Sequence, residues 1–136
     1  MIKKFFTTFF AAAILLSVSG CISTLADVRA AKGSGVSRTY AASQEEVWKA
    51  VPSVLVALGL QLVSEDKQKG HILAQHAGKA FVSYEANVAI FIESVNGATK
   101  TRVEVVSKPI DSTQIFAPGW GNDILNKLDE KLNSQG

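Results

Sequence analysis

A single cysteine, Cys21, is the only thiol source in these 136 residues. One cysteine excludes an intrachain disulfide framework and any zinc site built from several cysteines, so the folded part must rest on its apolar core. Histidine is nearly as scarce. His71 and His76 are the only two, and their odd spacing on what reads as a strand points them to opposite faces, as ordinary sheet or surface residues and not a shared metal site. The first twenty positions contain no acid, so Lys3 and Lys4 account for the whole formal charge of +2. Behind them lie twelve basic and twelve acidic side chains, a balance without the basic face that nucleic acid requires. Missing too are a G-x-S-x-G elbow, a G-x-G-x-x-G turn and a P-loop; Gly33-Ser34-Gly35 and Pro118-Gly119-Trp120-Gly121 have glycines but not those forms. Glu65 and Asp66 share a turn with Lys67 and Lys69 and read as solvated. The expectation is a chain without a cofactor, a metal or a catalytic set.

What is present begins with the leader. Lys3 and Lys4 form a positive start, Phe5 to Leu16 an apolar run of twelve residues, and Val18-Ser19-Gly20 a small-residue stretch before Cys21. That is the three-part build of a secretory signal. The apolar run is short for a span, which needs about 20 residues to cross roughly 30 Å of hydrocarbon. An uncleaved anchor is the alternative, since the uncharged stretch continues to Ala26.

Val18-Ser19-Gly20-Cys21 resembles the lipobox of bacterial lipoproteins. The resemblance implies cleavage between Gly20 and Cys21, a diacylglycerol on the Cys21 thiol and acylation of the new amino group. Two or three acyl chains anchor firmly where one is marginal, because each buried methylene contributes about 0.8 kcal/mol. Ile22 stands where an aspartate would hold such a protein at the inner membrane, so the resemblance also implies the periplasmic face of the outer membrane in a cell that has one.

Residues 22 to 35 read as a flexible tether ending in Gly33-Ser34-Gly35, and residues 36 to 136 as one domain. Val36 to Ala41 fits a first strand. Ser43-Gln44-Glu45-Glu46 is a capping box, followed by Val47, Val51, Val54, Leu55 and Leu58 at helical spacing, with Gly59 as the terminator and Pro52 implying a bend near Trp48 to Pro52. Leu60 to Ser64 and His71 to His76 flank a polar turn, and Gly78-Lys79 makes a second turn. Phe81 to Glu93 alternates: Val82, Tyr84, Ala86, Val88, Ile90 and Ile92 inward, Ser83, Glu85, Asn87 and Glu93 toward water. Phe81 and Phe91 interrupt its polar side. Asn96-Gly97 signals a hairpin, and Thr101 to Lys108 returns with Val103 and Val105 inward and Arg102, Glu104 and Lys108 outward, stopped by Pro109. A last helix carries Asp123 near its start, Ile124, Leu125, Leu128 and Leu132 as its stripe, and Lys127 and Lys131 near its end. The order β-α-β-β-β-β-α predicts a two-layer α+β fold, an antiparallel sheet of about five strands with two helices on one face.

Ser43, Glu46, Val47, Trp48 and Ala50, then Ala57 to Leu60, Asp66, Lys67, Gly70, Thr101 to Val105, Trp120, Gly121, Ile124, Leu125 and Leu128 form a pattern similar to small uncharacterised domains of envelope lipoproteins. It is more loosely similar to BamC-type helix-grip domains. That likeness implies a fold and an envelope location. In the loop before the last helix, Ile115, Phe116 and Trp120 are large and apolar; they either plug one end of the sheet or form a partner-binding patch. The functional expectation is a membrane-anchored, non-catalytic accessory module acting through protein contacts. Two alternatives stand behind it: a binder of small molecules or lipid between helix and sheet, and then a hydrolase.

Overall fold

The structure is a computed structural model that describes residues 24–76, 85–97, 99–110 and 119–133. Eight elements follow in chain order: α1 (Leu25–Ala30), β1 (Val36–Tyr40), α2 (Gln44–Ala57), β2 (Gln61–Asp66), β3 (His71–His76), β4 (Ala86–Val95), β5 (Lys100–Pro109) and α3 (Trp120–Asn133). The five strands form one antiparallel sheet in the order β1-β5-β4-β3-β2. The fold is α+β, as the element order predicted. Chain connectivity explains the strand order: α2 carries the chain from one sheet edge to the other, and β2 to β5 meander back until β5 lies beside β1.

The ends of α2 are set by local chemistry. The Ser43 hydroxyl accepts from the Glu46 amide while the Glu46 carboxylate accepts from the Ser43 amide, satisfying two otherwise orphaned donors. At the other end the amide of Leu60 reaches the Leu55 carbonyl at 2.8 Å and that of Gly59 reaches Val56 at 3.1 Å. This is a Schellman closure, for which Gly59 supplies the left-handed residue at φ 76°. The helix runs as one element through Pro52, with Trp48 and Val51 buried on the turn before it. Asn96 and Gly97, at φ 51° and 67°, make the β4–β5 turn.

The main core lies between α2, α3 and one face of the sheet. Val47, Val51, Val54 and Leu55 from α2 and Ile124, Leu125 and Leu128 from α3 meet Ile72, Ala74, Val88, Ile90, Ile92, Val103 and Val105. All of these are essentially without solvent contact. Tyr40 joins them and donates from its hydroxyl to the Leu125 carbonyl at 2.8 Å, tying β1 to α3.

The other face corrects three expectations. First, the stretch read as a flexible tether contains α1, whose Thr24–Asp27 capping box is complete and whose Val28 is fully buried. Second, β4 is buried on both sides: its even positions face the main core, while Ala89 and Phe91 join Val28, Leu73 and Val106 in a second, smaller core under α1. Asn87, expected to face water, is 1% exposed. Third, Glu104 is not an outward side chain but is 4% exposed. A short helix laid on the sheet turns a face that alternation marks as wet into a dry one. On the β2 edge a bulge between Leu62 and Ser64 interrupts the ladder, and such bulges blunt edge-to-edge pairing.

Candidate functional site

The residues singled out in the sequence fall in different places. Gly20 and Cys21, together with Ile115 and Phe116, lie outside the described residues. Trp120 opens α3, is half-buried and packs against the main core. Its ring lies 4.8 Å from that of His76 at a 35° tilt, and its buried indole Nε1 has no acceptor among the described residues. The structure thus gives Trp120 a packing role at the end of the sheet. His71 is on the opposite face, buried, with its ring edge-on to Phe91 at 6.3 Å. The two histidines do not share a site, and among the described residues no group of three His, Cys, Asp or Glu side chains could hold a metal ion.

Glu65 and Asp66 have local work. Glu65 accepts from the Trp48 indole at 3.3 Å, and Asp66 accepts from the Lys69 amide at 2.9 Å, closing the β2–β3 turn. Lys67 lies 5.9 Å from the Trp48 ring centre and 4.0 Å from Glu45. Glu45, Trp48 and Lys67 border a shallow groove of about 340 Å³ beside the start of α2, lined also by Ser43, Gln44 and Ser94. Gln44 fixes its floor by donating to the Ile92 carbonyl at 3.2 Å, and Ser94 donates to Gln44 at 3.1 Å. On the other side of the same helix start, Thr39, Tyr40, Glu46 and Asp129 border a second polar recess of about 440 Å³. The Arg38–Asp129 ion pair lies beside it.

The polar arrangement that sequence reasoning missed is on the α1 face. One carboxylate oxygen of Glu104 accepts from the amides of Gly33 at 2.7 Å and Gly35 at 2.9 Å. Its other oxygen is buried without a partner among the described residues. The loop Gly33-Ser34-Gly35 therefore binds an anion, and the anion is the chain's own. Gly35 must be glycine there, because a Cβ would sit 2.2 Å from the Val105 carbonyl oxygen. Around this clasp, Lys32 pairs with Glu93 and lies 5.7 Å from the Phe91 ring, while Arg102 approaches Glu93 at 3.6 Å. The Lys32 ammonium, bonded to the Glu93 carboxylate, holds that group below the usual carboxylate range. Asp27 is lowered too, chiefly by the Thr24 amide that donates to it. Phe91 in an otherwise polar register was the sequence signal for this face; nothing marked Glu104.

In chemical terms Asp27, Glu46, Glu65, Asp66, Glu93 and Glu104 act on their own chain. They cap helices, close a turn, clasp a loop and pair across strands. No described helix is long and apolar enough to cross a membrane.

No protein-family model matches the chain, and neither does any curated protein. Among solved structures it is similar to the crystal structure of a structural-genomics target from Deinococcus radiodurans. That match has 15% identity and a TM-score of 0.35, covering 72% of this chain and 95% of that one. A likeness so distant carries no argument about function.

Proposed function

We propose that the chain is a lipid-anchored protein of the bacterial cell envelope whose α+β domain serves as a non-catalytic accessory module through protein contacts. The observation that carries this reading is Val18-Ser19-Gly20-Cys21 placed directly after a Lys-Lys start and a twelve-residue apolar run. On this reading the Cys21 thiol takes a thioether-linked diacylglycerol, the leader is cut after Gly20, and the new amino group is acylated. Cys21 is then an anchor and not a nucleophile. Ile22 in place of aspartate directs the protein to the periplasmic side of the outer membrane in a double-membraned cell.

The filled layer between helices and sheet weighs against a ligand held there: Leu55, Val88, Ile90, Leu125 and Leu128 occupy it at 0–1% exposure. The engagement of Asp27, Glu46, Asp66, Glu93, Glu104 and Asp129 in capping, turn closure and pairing favours a binding role over chemistry. Replacing Cys21 by serine is expected to abolish lipid labelling and release the domain from the membrane fraction. Unchanged fractionation with an intact leader would instead support an uncleaved anchor. Crosslinking and pull-down of the acylated protein from its native envelope tests the accessory role. Failure to capture any protein at near-stoichiometric yield would sink it.

A further inference from the structure

The position of α1 bears on how the anchored domain sits, and this inference rests on the lipidation of Cys21. Helix α1 is fixed to the sheet by a buried Val28 against Leu73, Ala89, Phe91 and Val106. The Lys32–Glu93 pair and the Glu104 clasp on Gly33 and Gly35 secure the chain that follows it. Thr24, the first of the described residues, caps α1. Only three residue steps separate Cys21 from Thr24. Whatever conformation the intervening residues take, that span cannot exceed about 11 Å.

Charge is distributed to match. The α1 face and its surroundings present Arg29, Lys32, Lys100, Arg102 and Lys108 against Asp27, Asp66, Glu85 and Glu93, with Glu104 buried. Helices α2 and α3, on the far side of the sheet, carry Glu45, Glu46, Asp123, Asp129 and Glu130 against three lysines and the Arg38 that pairs with Asp129. Lipid phosphates favour the first surface over the second by a small net charge.

We infer that the α1 face of the domain seats against the headgroups of the bilayer holding the Cys21 acyl chains, leaving α2 and α3 turned away from the membrane. The anchor supplies a high local concentration of lipid surface, so individually weak contacts from Arg29, Lys32 and Lys108 suffice to orient the domain. Protein contacts then fall to the α2–α3 side and the sheet edges.

Acylation consumes the only native thiol, so single introduced cysteines can be labelled selectively in the acylated full chain. Ala26→Cys reports from exposed α1 and Asn126→Cys from exposed α3. The chain is reconstituted in vesicles of phosphatidylethanolamine and phosphatidylglycerol that contain a headgroup-nitroxide lipid. A fluorophore at position 26 is expected to be quenched several-fold more than one at 126. A twelve-residue Gly-Ser insertion between Ser23 and Thr24 is expected to remove most of that difference while acylation persists. Ala30→Cys repeats the measurement at a second α1 position should the first variant misfold.

Equal quenching at 26 and 126, with Cys21 shown by mass spectrometry to be acylated, overturns the inference but leaves the anchoring intact. Weak quenching in vesicles, combined with shielding of position 26 from aqueous maleimide in the native envelope, also overturns it by showing that a protein covers the face. An unacylated Cys21 overturns the inference and the proposed anchoring together.

Discussion

The two faces of the sheet are dry for different reasons. Under α2 and α3, long side chains at helical and strand periods interlock, and nineteen buried residues form one cluster. Under α1 a six-residue helix contributes one fully buried side chain, Val28, to a five-residue cluster. What holds α1 in place is as much polar as apolar: a capping box, an ion pair and a carboxylate clasp. A large apolar interface tolerates the loss of one contact by remaining folded at reduced stability. A small one fixed by polar links can open locally while the rest of the domain persists.

The largest expected effect is on the main face. Leu125→Ala removes a side chain that is 1% exposed and should cost about 2–5 kcal/mol through lost transfer and a residual cavity. Denaturant unfolding should remain a single transition at a lower midpoint. An unchanged midpoint would mean that α3 is not part of the cooperative core.

Next is Glu104→Ala, which leaves the Gly33 and Gly35 amides without their acceptor and should cost about 1–3 kcal/mol. Here the contrast between faces becomes sharp. Amide exchange at Gly33, Gly35 and along α1 should accelerate while β3–β5 keeps its protection; uniform acceleration would erase the distinction.

Smaller again is Tyr40→Phe, at about 1 kcal/mol for one buried hydrogen bond near neutral pH. Burial first, and the nearby Asp129 charge second, push the Tyr40 phenol up to about 12. The folded state keeps a proton that the unfolded chain gives up from about pH 10, so stability is fully present below pH 10 and falls between about 10 and 12. The phenylalanine variant should lose that slope, which alkaline melts would detect.

The smallest effect is in acid. Asp27 and Glu93 are both lowered by groups of the α1 face, so their contribution is present above the ordinary carboxylate range and fades as pH falls below about 4. The helical contacts of α1 should loosen there before the main core yields. Exchange measured across that range checks the order; simultaneous loss of both faces would count against it.

Much of the main face was legible from the sequence because its signals are local and redundant. Ser43 and Glu46 cap the helix that Val47, Val51, Val54 and Leu55 require, Gly59 ends it, and Asn96-Gly97 fixes the β4–β5 turn. The α1 face is different in kind. A six-residue helix is too short to display a period, and one buried valine makes no stripe. Asn87 and Glu104 have the composition of wet positions, and only tertiary contact buries them. Of the two phenylalanines out of place on the strand read from Phe81 to Glu93, Phe81 lies outside the described residues and Phe91 proved to mark the second core. Among the candidate partner residues, Trp120 was legible as apolar, but sequence could not decide between plug and patch; its stacking on His76 is a long-range contact.

The pairing of β1 with β5 has a bearing on the order of assembly. Val36 lies opposite Val105, and Tyr40 opposite Thr101. The β2–β5 meander joins neighbours along the chain, whereas the β1 ladder closes a loop of more than sixty residues and carries the greater entropic cost. During synthesis from the N-terminus, β1 emerges among the first elements but is completed among the last. Until β5 arrives, its unpaired backbone must remain solvated or be shielded by a helper, and this interval is when the chain is most open to mispairing.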